Sequence, residues 1–232
     1  MKTETVMGDS MQEELIISGF GGQGVLFAGQ LLAYAAVEAG KHVTWIPSYG
    51  PEMRGGTAHC TVVVSDEPIG SPLVRHPTSA IALNLPSFEK YEALIKPGGL
   101  MVYNKSLIVA TPSREDVRYV AAPANVIAEE LGNIRQANVV LLGAYLAVTG
   151  LLPLESVETA LDNHLSERQR SFLASNKQAL RRGAAGVISW EQEPTAAGGH
   201  RSAPADFGIH DVAFRERDAG PAVRHPGTQQ GG

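Results

Sequence analysis

The stretch Leu15-Ile16-Ile17-Ser18-Gly19-Phe20-Gly21-Gly22-Gln23-Gly24-Val25 joins a continuous apolar run to a segment in which four of six residues are glycine. An apolar run without polar interruption is what a strand covered on both faces requires, so residues 15–18 read as the buried first strand of a helix-flanked sheet. A helical pattern follows over residues 25–39, with Gly40 where a left-handed cap is wanted. The glycines therefore lie between a strand and a helix and satisfy G-x-G-x-x-G in the context that gives the spacing meaning. They admit backbone conformations closed to other residues and let a phosphate approach the amide N–H groups at the positive helix end. The same glycines would serve if strand, turn and helix merely had to pack tightly, and the motif alone leaves both readings open.

Outward from this stretch, residues 13–125 alternate short β-branched runs with helical patterns, the signature of βαβ units. Further strands are expected at 42–46, 59–65, 80–83 and 100–103, with a short helix at 86–95 closed by Lys96-Pro97-Gly98-Gly99. Past Ala121 the pattern turns helical. Residues 123–131 form one helix. Residues 136–149 are apolar nearly all round, with a small-residue surface at Ala137, Gly143, Ala144 and Ala147, which suits either an internal core or another protein. Leu154, Val157, Leu161 and Leu165 recur at helical spacing after Pro153, and a last helix at 167–183 is expected to stop at Gly183. The fold class is α/β, a mostly parallel sheet with flanking helices and a helical C-terminal part. One such domain spans 13–188, preceded by a flexible N-terminus at 1–12. Composition shifts after Trp190 to Gly, Pro, Ala and scattered charge, so 189–232 reads as a disordered tail.

Composition narrows the function classes. The 232 residues are 44% hydrophobic and 19% charged, as in an ordinary globular protein, and no apolar run approaches the length of a spanning helix. The polar, acidic start lacks the basic and apolar segments of a secretory signal, so a cytoplasmic location is expected. A net charge of −5 without a basic cluster argues against nucleic acid. Cys60, the single cysteine, cannot form an internal disulfide or ligate an iron–sulfur cluster.

A dinucleotide site would add an acidic residue at the end of the second strand. That strand instead ends Trp45-Ile46-Pro47-Ser48, and the loop that follows is Tyr49-Gly50-Pro51-Glu52-Met53-Arg54-Gly55-Gly56-Thr57. It is expected at the same C-terminal sheet edge as the glycine turn. Arg54 beside Gly55 and Gly56 offers a fork of donors suited to a carboxylate or phosphate, unless it pairs with an acid or lies on the surface. The candidate binding residues are Gly19, Gly21, Gly22, Gln23, Gly24, Ser48, Met53, Arg54, Gly55 and Gly56, and no catalytic or metal-ligating residue is assigned. His59 and Cys60, adjacent on a strand, point to opposite faces and are poorly placed as a base and nucleophile, which makes Cys60 a buried structural residue. His42, His76 and His164 lack metal-ligand spacing, and Glu155 with Glu158 read as a solvated helix face.

The glycine segment at 19–24, the segment Pro47 to Thr57, the strand Cys60-Thr61-Val62-Val63-Val64-Ser65, Asp66 to Pro72, Asn84 with Pro86, and Asn176 before Gly183 together resemble the gamma subunit of the 2-oxoacid:ferredoxin oxidoreductases, most of all the 2-oxoglutarate type. The likeness covers about residues 13–185. It implies the gamma domain fold of the pyruvate-ferredoxin oxidoreductases. It further implies a holoenzyme that converts a 2-oxoacid, coenzyme A and oxidised ferredoxin to acyl-CoA, carbon dioxide and reduced ferredoxin. Thiamine diphosphate, Mg2+ and iron–sulfur clusters would then sit on alpha, beta and possibly delta subunits, none being held by this chain alone. The implied part of this chain is to close the active site and help receive coenzyme A. The other reading of the glycine turn is a free-standing nucleotide- or dinucleotide-binding Rossmann-like protein.

Overall fold

The computed structural model describes residues 11–48 and 57–190. Of the expected flexible start at 1–12, residues 1–10 lie outside the described residues while Gln12 already begins a strand; the segment with Met53, Arg54, Gly55 and Gly56 lies outside them, and of the tail expected at 189–232 the first two residues are helical and the rest, from 191, lies outside. In chain order the elements are β1 (Gln12–Phe20), α1 (Val25–Glu38), β2 (His42–Ser48), β3 (Thr57–Ser65), β4 (Ser79–Ala82), α2 (Leu85–Glu92), β5 (Leu100–Asn104), β6 (Arg118–Ala122), α3 (Ala124–Glu130), α4 (Ala137–Thr149), α5 (Leu154–His164) and α6 (Leu173–Trp190). Short 3-10 turns precede α4 at Ile134–Gln136 and α6 at Glu167–Phe172.

The strands form one six-stranded sheet in the order β2-β3-β1-β4-β5-β6. β1, β4, β5 and β6 pair in parallel, whereas β3 runs antiparallel to both of its neighbours, β1 and β2. Five strands thus share one direction and the sheet is mostly parallel, as its sequence suggests. β1 extends further at both ends than the apolar run, because its antiparallel ladder with β3 continues from Gln12 opposite Ser65 to Phe20 opposite Thr57. β6 was not expected. Its Arg118-Tyr119-Val120-Ala121-Ala122 carries only one β-branched residue, and parallel pairing with β5 is what holds it extended.

Alternation along each strand divides the core between the two faces. Leu15, Ile17, Cys60, Val62, Ile81 and Val102 face a large cluster built with α1, α4, α5 and α6, while Ile16, Ala80, Phe88, Tyr91 and Met101 pack with α2 on the other. α4 is the central helix of the first cluster. Val139, Val140, Leu141, Leu142, Ala144 and Tyr145 are all at most 1% exposed, and Gly143 of the small-residue surface meets this chain's own α6, while Ala147 is exposed. The contact is backbone to backbone. A Cβ on Gly143 would lie 2.9 Å from the Leu180 carbonyl carbon, and one on Gly183 would lie 2.8 Å from that of Val140. Gly183 therefore does not end the last helix. α6 runs through it to Trp190, and the glycine is there because α4 leaves no room for a side chain.

The other face is stapled by Glu92, 7% exposed, which accepts hydrogen bonds from Ser113 N and Oγ at 2.8 Å and from Tyr119 Oη at 2.6 Å. Burial alone would raise its pKa. The Tyr119 and Ser113 hydrogen bonds and the nearby Arg114 guanidinium outweigh burial and hold the carboxyl below the usual range.

Gly143→Ala and Gly183→Ala are each expected to destabilise the domain by about 2 kcal/mol or more, because the helices must separate. In urea denaturation the double variant should show less than the sum of the two, since both glycines serve one contact. A carboxyl whose folded pKa lies below its unfolded value stabilises above the unfolded pKa, and that contribution is lost as pH falls through the folded one. Glu92→Ala should accordingly cost about 2 kcal/mol near neutral pH and show a shallower loss of stability on acidification than the unsubstituted chain.

Candidate functional site

The glycine turn leaves β1 at the edge where the parallel strands end, and it is held shut from within. Gln23 N donates to Phe20 O at 3.2 Å, and Phe20 N donates to Gln23 Oε1 at 2.7 Å. The same oxygen accepts from Asn84 Nδ2 at 3.3 Å, while Asn84 Oδ1 caps α2 by accepting from Ser87 N at 2.9 Å. Gln23 is therefore the pin of the turn, and its amide is engaged within the protein. Gly19 serves packing, since a Cβ there would lie 2.7 Å from Gln23 Oε1 and 3.0 Å from Leu83.

Gly22 and Gly24 have φ of 93° and 74°, a region costly for residues with a side chain. Gly21 and Gly22 stand open, with nothing within 4 Å of a Cβ position. Gly24 is the N-cap of α1 and supplies no side-chain cap, so the first amides of that helix keep their donors. Its carbonyl accepts from Asn138 Nδ2 at 2.8 Å, which ties the turn to the start of α4.

Beside the turn lies a cavity of about 540 Å³, within the range typical of small-molecule sites. Gly22, Gly24 and Phe27 form one side, Arg135, Gln136 and Asn138 another, and Gln169, Phe172 and Asn176 a third. A second cavity of about 190 Å³ lies next to it, with Gly22 and Arg135 common to both and with Asn104 and Asn125 on its far wall. Beyond Phe27, Leu165 and Gln169 a third cavity of about 130 Å³ continues to Tyr34 and His164, whose rings stack at 3.9 Å. Among the described residues no carboxylate lines the first two cavities, and Arg135 is their one charged side chain. The start of α1 contributes its uncapped amides to the larger cavity, whereas the first amides of α4 are engaged by Ile134 O and Asn138 Oδ1, so one positive helix end and a guanidinium act on this space. Such surroundings favour an anion with hydrogen-bonding groups around it.

The expected second loop is anchored at the same edge. Ser48 ends β2 opposite His59, and Thr57 begins β3 opposite Phe20. β3 lies between β2 and the turn, which places Ser48 about 10 Å to the side of β1. Cys60 and His59 do point apart. Burial pushes the Cys60 thiol up to about 12 against the Gly29 turn of α1, while His59 faces Tyr91 with ring centroids 5.9 Å apart. His164 stacks on Tyr34 and pairs with Glu38 at 2.8 Å, and Glu158 pairs with Arg181, so these groups are engaged in structure. Among the described residues no group of three His, Cys, Asp or Glu side chains could hold a metal ion, and no helix is long and apolar enough to cross a membrane.

Sequence reading did not assign Arg135, Gln136 and Asn138 to the site, and it named Asn84 and Asn176 only as part of the family likeness. Asn84 carried a signal, standing directly before Leu85-Pro86 where an N-cap belongs. Arg135 to Asn138 looked like the approach to an apolar helix, more than 100 residues from the turn they complete.

Sheet order, glycine turn and cavity together define an α/β domain with an open space at the C-terminal sheet edge that no described carboxylate lines. The profile of the pyruvate ferredoxin/flavodoxin oxidoreductase family matches residues 14–186, and the chain belongs to that family. It is 37% identical to the 2-oxoglutarate synthase subunit KorC of Methanocaldococcus jannaschii over 172 residues, 72% of this chain and 92% of that one. It is 44% identical to the ketoisovalerate oxidoreductase subunit VorA of Methanothermobacter marburgensis over 137 residues, 58% of this chain but only 28% of the length of that relative. Among solved structures it resembles a keto/oxoacid ferredoxin oxidoreductase gamma subunit from Geobacter sulfurreducens, with a TM-score of 0.66 and 31% identity over 76% of this chain and 99% of that one. It also resembles the 2-oxoglutarate:ferredoxin oxidoreductase of Magnetococcus marinus with 2-oxoglutarate, coenzyme A and succinyl-CoA bound, with a TM-score of 0.69 and 25% identity over 77% of this chain and 31% of that one. The resemblance to a gamma subunit and the expected fold class are both borne out.

Gln23→Ala should loosen the turn without emptying the core. We expect a stability loss of about 1–2 kcal/mol, with faster hydrogen exchange at the Gly21 and Gly22 amides than at those of β5.

Proposed function

We propose that this chain is the gamma subunit of a thiamine-diphosphate-dependent 2-oxoacid:ferredoxin oxidoreductase. In this reading it closes the active site and receives coenzyme A at the glycine turn. The observation that carries the site assignment is the acid-free cavity where the uncapped start of α1 and Arg135 meet beside Gly22 and Gly24. Coenzyme A suits such a cavity: its phosphates need donors, and its pantetheine amides can pair with side-chain amides of the kind that Asn133, Gln136, Asn138 and Asn176 bring there. Gly19, Gly21, Gly22, Gln23 and Gly24 form or pin the phosphate-facing turn, and Ser48, Met53, Arg54, Gly55 and Gly56 are the further residues assigned to the same ligand.

The chain's own chemistry supports a division of labour. Its one thiol is buried and hard to ionise, so the iron–sulfur clusters, Mg2+ and thiamine diphosphate belong on alpha, beta and delta subunits, with ferredoxin taking the electrons in the cytoplasm. What this domain adds is exclusion of water and orientation of the thiol toward the acyl carbon. Similarity to KorC subunits supports 2-oxoglutarate as the oxoacid. The likeness to VorA makes ketoisovalerate the competitor to test.

The alternative, a free-standing dinucleotide-binding protein, meets a topological obstacle. In that fold the second strand lies beside the first and presents an acid to the ribose. Here β3 intervenes, antiparallel, and β2 ends without a carboxylate.

Affinity capture of the chain from its native cells should recover a cysteine-rich subunit with brown cluster absorbance and a thiamine-binding subunit. That complex should oxidise 2-oxoglutarate faster than ketoisovalerate at equal concentration. In the same complex Arg54→Ala should raise KM for coenzyme A about tenfold or more, the effect of losing one charge-assisted contact. Unchanged KM values for both coenzyme A and the oxoacid would remove Arg54 from the site.

A further inference from the structure

We infer that β2 is a self-complementary docking edge, through which two copies of this chain pair antiparallel across a two-fold axis at Thr44. The inference goes beyond the proposed reception of coenzyme A and does not depend on it. β2 closes one side of the sheet, so one of its backbone edges pairs with β3 and the other has no strand beside it among the described residues. An open edge offers unpaired N–H and C=O groups to any strand that can align, and proteins blunt such edges with short strands and charge. β6, at the other side of the sheet, shows both devices, being five residues long and beginning with Arg118. β2 shows neither. It runs for seven residues, His42-Val43-Thr44-Trp45-Ile46-Pro47-Ser48, without a lysine, arginine, aspartate or glutamate. Ile46 is 38% exposed there, although it is large and apolar.

Pro47 decides what can pair. Proline has no N–H and is accommodated in an edge strand where its nitrogen faces off the sheet. Pro47 stands opposite Cys60 in the ladder with β3. With its nitrogen turned outward, the period of two turns the backbone groups of Trp45 and Val43 outward as well. The outer edge therefore has donors at Val43 and Trp45 and none at Pro47. A foreign strand laid along its whole length would meet that gap.

A second copy of β2 avoids it. Centred on Thr44, the antiparallel register sets Val43 opposite Trp45 of the second copy, and Trp45 opposite Val43 of the second copy. Each pair exchanges both of its N–H···O bonds, and Pro47 lies beyond the ladder. Val43 beside Trp45 is a β-branched and aromatic pair of the kind that strengthens strand pairing, and both side chains already pack on the α1 face of the sheet. Thr44 stands on the axis facing its own copy. Its Oγ1 has no hydrogen-bond partner among the described residues, and threonines opposed across antiparallel strands hydrogen-bond to each other. The register opposes no like charges, since Lys41 meets Pro47 and His42 meets Ile46.

The test is sedimentation of the full chain at rising concentration, with substitutions at the half-buried Thr44. The unsubstituted chain should dimerise. Thr44→Lys and Thr44→Glu each set two like charges together on the axis, and each alone should sediment as a monomer. Mixed in equal amounts they should form a heterodimer, which neither damage to the fold nor an interface elsewhere would produce. Thr44→Cys gives an independent readout, because the native Cys60 thiol is buried and pushed up to about 12. On mild oxidation Thr44→Cys should form a disulfide-linked dimer. Ile46→Cys, about 14 Å from its own copy along the strands in this register, should not. A chain that stays monomeric and gives no Thr44→Cys dimer overturns the inference. So does a dimer that survives Thr44→Lys and Thr44→Glu, or one that links as readily through Ile46→Cys.

Discussion

Pairing of β1 with β3 constrains everything else at the functional edge. The antiparallel ladder runs from Gln12 opposite Ser65 to Phe20 opposite Thr57, so the last residue before the glycine turn is tied to the first residue after the loop at 49–56. The chain reaches β2 through α1 and returns beside β1 only through β3. The crevice that a doubly wound sheet opens between its first and second strands is therefore filled by backbone. A ligand approaching the turn finds space on the α1 and α4 side, where Gly22, Gly24, Arg135 and Asn138 meet. Topology, more than any single side chain, separates this domain from a dinucleotide-binding one.

A second constraint places the opposite wall of the cavity. α4 and α6 approach until Gly143 meets the Leu180 carbonyl and Gly183 meets that of Val140. This contact sets the start of α4, where Gln136 and Asn138 stand, against the start of α6, where Ser175 and Asn176 receive the Gln136 amide. The hydrogen bond from Asn138 to the Gly24 carbonyl carries the arrangement on to the turn. Helix packing deep in the core thereby determines how far apart the cavity walls stand.

Much of this was legible in the sequence, for reasons that can be stated residue by residue. Leu15 to Ile17 is apolar because β1 is covered on both faces, and Gly22 and Gly24 have positive φ as the motif demands. β6 escaped because five residues with one β-branched side chain carry little strand signal of their own, and its partner strand holds it. Gly183 looked like a helix stop because a glycine inside a helix is locally unfavourable, and its reason lies on another helix. Arg135, Gln136 and Asn138 were invisible as site residues for a similar cause: local pattern reports which face of a helix is buried, not which distant turn its first residues meet.

The two arms of the site differ in rigidity, and that difference bears on how a cofactor could be handled. The glycine turn is closed by hydrogen bonds from Gln23 and Asn84, and Asn84 is fixed in turn as the cap of α2. A ligand group held there meets amides already set in place, which lowers the ordering cost of binding. Phe172 belongs to a six-residue 3-10 turn with no buried residue, so its ring is free of the close packing that fixes the core.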